Sequence, residues 1–312
     1  MPVPNAPLFR DPIYDGAADP TIIWNPNERA WWLIYTNRRA NILCHGISWA
    51  HGTDIGAASS TDGGATWLYR GTLRGLDFEP GRNTFWAPEV LHHAGTYHMY
   101  VSYISGVPDS WAGQRFMLHM TSSNLWDWTY VSTLQLSSQN VIDACVYQLP
   151  SGIWRMWYKD EKHDNQTWAA ESADLYNWNV VGPVITDCAH EGPNVFYWKD
   201  SYWMVTDPWR GLDLYRSDDA IRWEKTTEIL RAAGSRTDDG DQARHAKVLI
   251  NDDRAFIFYF THPEQAPPDV PPKDDPLKGR RTSLQVAELE LIDGKLVCDR
   301  NKPFSMNLNG PR

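Results

Sequence analysis

Short apolar runs of four to seven residues recur along the chain, and none keeps the three-to-four-residue period of an amphipathic helix. The clearest lie at residues 31–35, 97–103, 154–158, 202–206 and 255–260. They are rich in Trp, Tyr, Val and Ile and are separated by Gly, Asp and Asn. Such runs predict buried β-strands. A second pattern follows each of the first four runs: a serine, then turn residues, then a tryptophan. The four pairs are Ser60 and Trp67, Ser122 and Trp128, Ser172 and Trp178, and Ser217 and Trp223. Serine and aspartate side chains satisfy turn amides, and the tryptophan is expected to fold back on its sheet between a third and a fourth strand. The first copy matches the Asp-box of β-propellers. The closing tryptophans recur at about the length of one four-stranded blade. The pattern therefore predicts an all-β chain: a five-bladed β-propeller of four-stranded antiparallel blades around a central funnel, with residues 1–312 forming one ring. The run 283–292 is expected to complete the last blade. Residues 262–281, proline-rich and without strand pattern, read as a long loop that closes over a site or meets another copy in a homo-oligomer.

Composition narrows the partners. The formal net charge is −10 over 312 residues, without a long basic run, which argues against a nucleic-acid partner. No stretch of about 18 apolar residues is present, so no membrane-spanning helix is expected. The first residues, Met1 to Pro7, have neither a basic nor an apolar segment of the kind found in signal peptides, and the expectation is a cytoplasmic protein. Cys44, Cys145, Cys188 and Cys298 form no metal motif and are expected as reduced thiols. The 17 Trp, 14 Tyr and 9 Phe suit wedge-shaped gaps between blades, with a minority available to stack on a sugar.

Three acids begin or precede apolar strands: Asp19 in Gly-Ala-Ala-Asp-Pro, Asp143 in Val-Ile-Asp-Ala-Cys, and Glu191 in Ala-His-Glu-Gly-Pro. The inner strands of a propeller bring such residues together at the funnel. Hydrolysis of a glycosidic bond needs two carboxyl groups on opposite sides of the sugar. A buried acid also costs several kcal/mol unless it has a partner or a purpose.

These segments, together with Phe85-Trp-Ala-Pro-Glu-Val90 and the histidine His245, resemble glycoside hydrolase family 43 and its relatives among the five-bladed propeller hydrolases. The resemblance covers roughly residues 11–262, with the five elements in order. It implies that Asp19 is the general base, Glu191 the general acid, and Asp143 the residue that orients the acid and tunes its pKa. Trp86 and Glu89 would line the site and His245 would stand near the axis. It implies an inverting, exo-acting enzyme that releases a terminal pentose or furanose from an oligosaccharide substrate, of the arabinofuranosidase or xylosidase type. No cofactor is required, but a structural metal ion on the axis, with His245 as candidate ligand, belongs to the same expectation.

The chain departs from the family pattern in an acid-rich fifth-blade segment (residues 238–247), in His190 beside the acid, in Arg38-Arg39, and in Arg210. His190, Arg210 and Arg38 are taken as further substrate contacts. For Arg210 pairing with Asp207 or Asp213 is the equal alternative, as blade filling is for Trp86. Other readings are a propeller hydrolase acting on galactofuranose, an anhydro-sugar or a uronic sugar, and a carbohydrate-binding propeller without catalysis. A sialidase would need an arginine triad and usually six blades. A phosphorylase would need a basic phosphate pocket, for which Arg38, Arg39 and Arg210 are candidates.

Overall fold

Each of the five apolar runs forms the second strand of a four-stranded sheet. The computed structural model describes residues 3–264, 277 and 279–311. Blade 1 comprises β1 (Ala17–Asn25), β2 (Ala30–Asn37), β3 (Asp54–Ser60) and β4 (Leu68–Thr72). Blade 2 comprises β5 (Thr84–His93), β6 (Thr96–Ile104), β7 (Phe116–Ser122) and β8 (Thr129–Thr133). Blade 3 holds β9 (Val141–Gln148), β10 (Trp154–Asp160), β11 (Gln166–Ser172) and β12 (Asn179–Ile185). Blade 4 holds β13 (Glu191–Trp198), β14 (Ser201–Asp207), β15 (Leu212–Ser217) and β16 (Glu224–Ile229). Blade 5 holds β17 (Arg244–Asn251), β18 (Arg254–Thr261), β19 (Ser283–Ile292) and β20 (Lys295–Val297). Strands pair antiparallel in chain order within every blade. The innermost strands contact one another in turn, and β17 returns to β1, which closes the ring. Residues 283–292 form β19, as expected. No helix among the described residues is long and apolar enough to cross a membrane.

The apolar runs read strongly because both faces of a second strand are covered by the neighbouring blades. Trp32, Tyr35, Trp157, Tyr158 and Trp203 are fully buried on these strands. The core is accordingly divided into layers between successive blades: 1 with 2, 2 with 3, 3 with 4, 4 with 5, and 5 with 1. The serine–tryptophan turns join third to fourth strands, as predicted. In three of them the indole Nε1 donates to the carbonyl of a residue in left-handed backbone: Gly64, Leu125 and Leu175. The serine Oγ accepts a turn amide in each of the four. Both chain ends fasten the ring: Leu8 and Phe9 bond to Leu284 of blade 5, and Leu308 bonds to Gly63 and to Trp31 of blade 1.

Candidate active site

The local device that builds the site is a β-bulge repeated five times. In every blade the pairing of the first with the second strand shifts register near the funnel. One residue at each shift has positive φ: Asp19, Ala87, Asp143, Gly192 and His245. A bulge inserts a residue, bends the strand and re-aims the side chains around it. Left-handed backbone at non-glycine residues costs of order 1–3 kcal/mol each and gathers at functional sites. Here it turns two aspartates and a histidine from three blades toward one cavity of about 610 Å³, lined by Asp19, Asp143, Glu191 and His245.

Asp19 and Asp143 are both 5% exposed, but their surroundings act in opposite directions. Burial alone would raise the Asp19 pKa. Arg38, which donates to both carboxylate oxygens at 3.2 and 3.3 Å, outweighs it together with His245 and Thr36, and Asp19 is held below the usual carboxylate range. Burial pushes Asp143 up to about 6; His245 opposes this while Glu191 adds to it. Asp143 Oδ2 accepts the amide of Gly192 at 3.1 Å, so this acid fixes the backbone next to Glu191. Glu191 Oε2 accepts from the Lys159 ammonium at 3.1 Å. Burial disfavours the charged form of His245, but Asp143 and Asp19 outweigh it and raise its pKa; its Nδ1 lies 3.6 Å from Asp19 and 3.9 Å from Asp143.

Several residues of the site carry no motif. Lys159 and Arg115 are each 4% exposed in their side chains and are joined through Glu161 at 3.4 and 3.1 Å. The chain Arg115–Glu161–Lys159–Glu191 thus alternates in charge along one wall. Lys159 also lies 5.0 Å from the ring centre of Trp209. Asp207 accepts the amides of His245 and Trp209, and burial, with Glu191 nearby, pushes it up to about 7. Lys159 stands one residue before the end of β10 and Asp207 ends β14, and a charged residue following an apolar run was the available sequence signal. Trp49, Trp86, Trp111 and Trp209 supply the aromatic walls, so four of the 17 tryptophans face the cavity. His262 and Gly279 line it too, while most of the expected loop 262–281 lies outside the described residues.

Of the residues expected at the site, Asp19, Asp143, Glu191, Trp86, His245 and Arg38 line the cavity. Trp86 is anchored there by Nε1 donating to the Ala50 carbonyl at 2.7 Å. Three others stand elsewhere. Glu89 lies two residues beyond the bulge of β5, beneath the cavity, where it accepts from Lys247 at 2.6 Å and from the Val146 amide at 3.1 Å. His190 is fully buried, with one ring nitrogen on Thr167 and the other on the Cys188 carbonyl. Arg210 is half exposed and pairs loosely with Asp213 at 3.6 Å, while its neighbour Trp209 takes the place at the cavity.

The expected axial metal meets an unsuitable donor set. Two residues beyond His245 on β17, Lys247 presents an ammonium bound to Glu89, a competing cation rather than a ligand. Asp187, Cys188 and His190 bring ligand atoms within 4.8 Å of one another, but both nitrogens of His190 are engaged, and Lys225 already donates to Asp213 beside Cys188. The four cysteines are free thiols.

No protein-family model and no curated protein matches the sequence. Solved structures do match in fold. A thermostable family-43 glycoside hydrolase is similar at TM-score 0.70 and 17% identity, over 97% of this chain and 98% of that one. A GH43_1 enzyme from Xanthomonas citri complexed with xylotriose is similar at TM-score 0.69 and 14% identity, over 94% and 93% of the two chains. An exo-β-1,3-galactanase from Clostridium thermocellum is similar at TM-score 0.65 and 14% identity, over 91% of this chain and 61% of that one. The likeness runs through the whole chain, and what it establishes is the fold: a five-bladed β-propeller of the kind seen in structures described as family-43 glycoside hydrolases.

Proposed function

We propose that this protein is an inverting, exo-acting glycoside hydrolase that removes a terminal sugar from an oligosaccharide. The carrying observation is that acids from three blades converge on one cavity, with Asp19 held ionised and Asp143 pushed up to about 6. Hydrolysis of a glycosidic bond needs two carboxyl groups, one on each side of the sugar. In this reading Asp19 takes a proton from the attacking water, and Glu191 gives one to the leaving glycosidic oxygen. Asp143 holds the Gly192 amide and thereby the position of Glu191. Lys159 occupies Glu191 Oε2, which leaves Oε1 to carry the proton to the leaving group. Trp86 and Trp111, with ring centres 6.1 Å apart, offer apolar faces to a sugar ring. A pentose or furanose is the sugar class we propose; the similar structures include a β-xylosidase/α-arabinofuranosidase in complex with xylotriose.

A panel of p-nitrophenyl arabinofuranoside, xyloside, galactofuranoside and fucoside tests the reading. Wild type is expected to turn over at least one of them, and Asp19→Asn and Glu191→Gln each to lose about 10²–10⁴-fold in kcat. Turnover that survives both substitutions contradicts the assignment. Binding without turnover favours a carbohydrate-binding propeller instead.

A further inference from the structure

Two residues beyond each bulge the five inner strands present a second tier: Thr21, Glu89, Cys145, Asn194 and Lys247. Its bonds run round the ring. Glu89 of blade 2 accepts the Val146 amide of blade 3. Cys145 of blade 3 accepts from Asn194 and the Val195 amide of blade 4. Asn194 accepts the Val248 amide of blade 5 at 2.8 Å. Lys247 of blade 5 then skips blade 1 and reaches Glu89 of blade 2 at 2.6 Å. Blades 5 and 2 are not neighbours in the ring, so a bond between their inner strands crosses the axis. The pair is largely enclosed, with side-chain exposures of 18% for Lys247 and 6% for Glu89. In blade 1, between them, Thr21 Oγ1 is buried without a hydrogen-bond partner.

We propose that Lys247 is the built-in axial cation of this propeller, so that the ring is locked by a protein ammonium where a bound metal ion would otherwise neutralise Glu89. A divalent cation at Glu89 would meet the ammonium's like charge and would have to displace it from a close, charge-assisted hydrogen bond. The covalent cation also cannot be lost to a chelator. It ties β17 to β5, and so fixes His245 and Trp86, which flank the two ends of the pair in sequence, in the floor and wall of the cavity.

The test needs no substrate and is therefore independent of the glycosidase reading. Thermal unfolding of the full chain is followed in EDTA and in added Ca²⁺. Wild type is expected to keep the same Tm in both. Lys247→Ala leaves Glu89 buried without its counter-ion and is expected to lower Tm by several degrees. Added Ca²⁺ or methylammonium should raise the Tm of that variant and not of wild type. A wild-type Tm that falls in EDTA and returns with Ca²⁺ overturns the proposal, as does a folded Lys247→Ala that gains from neither cation. Should Lys247→Ala not fold, calorimetric titration of wild type with Ca²⁺ decides: no binding supports the built-in cation, and one ion bound per chain with a raised Tm rejects it.

Discussion

At the scale of single residues, the site depends on side chains whose charge states are set by their neighbours. Glu191 faces Lys159 on β10, Asp143 on β9, Asp207 on β14 and His245 on β17. Lys159 holds Glu191 Oε2 by direct donation, and two of the acids around it, Asp143 and Asp207, are pushed up by burial. Lys159→Met removes the donor that positions Glu191. The kcat is then expected to fall about tenfold or more, with Lys159→Arg keeping much of the activity. A change confined to KM, with kcat kept, would mean that Lys159 serves binding alone.

At the scale of elements, strands β6 and β7 carry a buried histidine pair. His98 Nδ1 and His119 Nε2 are 2.9 Å apart, and the two residues are 2% and 0% exposed. Burial pushes His98 down to about 4 and His119 down to about 3. In the unfolded chain each would take up a proton below about pH 6.5. Between those values the unfolded state binds more protons, so stability is fully present above about pH 6.5 and is lost as pH falls toward 4 and 3. Unfolding free energies from urea titrations are expected to drop between pH 7 and pH 4.5 by on the order of 2–3 kcal/mol for each histidine of this pair. His119→Phe, which fills a similar space without a titrating nitrogen, should flatten that slope. A slope that is the same in the variant would assign the acid sensitivity to other groups.

At the scale of the whole molecule, the ring is a closed chain of blade contacts that must be fastened somewhere. Leu8 and Phe9, at 5% and 7% exposure, pack into the layer between blades 5 and 1, as do Met306 and Leu308. Removing residues 1–9 takes out two buried apolar side chains and the backbone bonds to Leu284. The expected cost is about 3–5 kcal/mol, read as a lower Tm and an earlier urea midpoint. A truncated chain as stable as the full one would place ring closure in the blade contacts alone.

The sequence by itself determined the number and order of the blades. A second strand covered on both faces must be apolar throughout, and a serine–tryptophan turn is a local structure whose bonds are made within a few residues, so both are written in the chain. It also placed the three acids, because a carboxyl at the head of an apolar strand stands out against its surroundings. Tertiary structure alone decided which polar residues share the cavity. Lys159, Arg115 and Glu161 reach it from a second strand and from loops, and their partners lie in other blades or across a turn. Glu89 and Lys247 are separated by 158 positions and meet only because the ring brings non-adjacent blades face to face across the axis. Whether Glu89 faced a sugar or a lysine was likewise a matter of two residues of strand beyond a bulge. A bulge follows from the fit of one strand to its neighbour and the closure of the ring, which no local run of residues encodes.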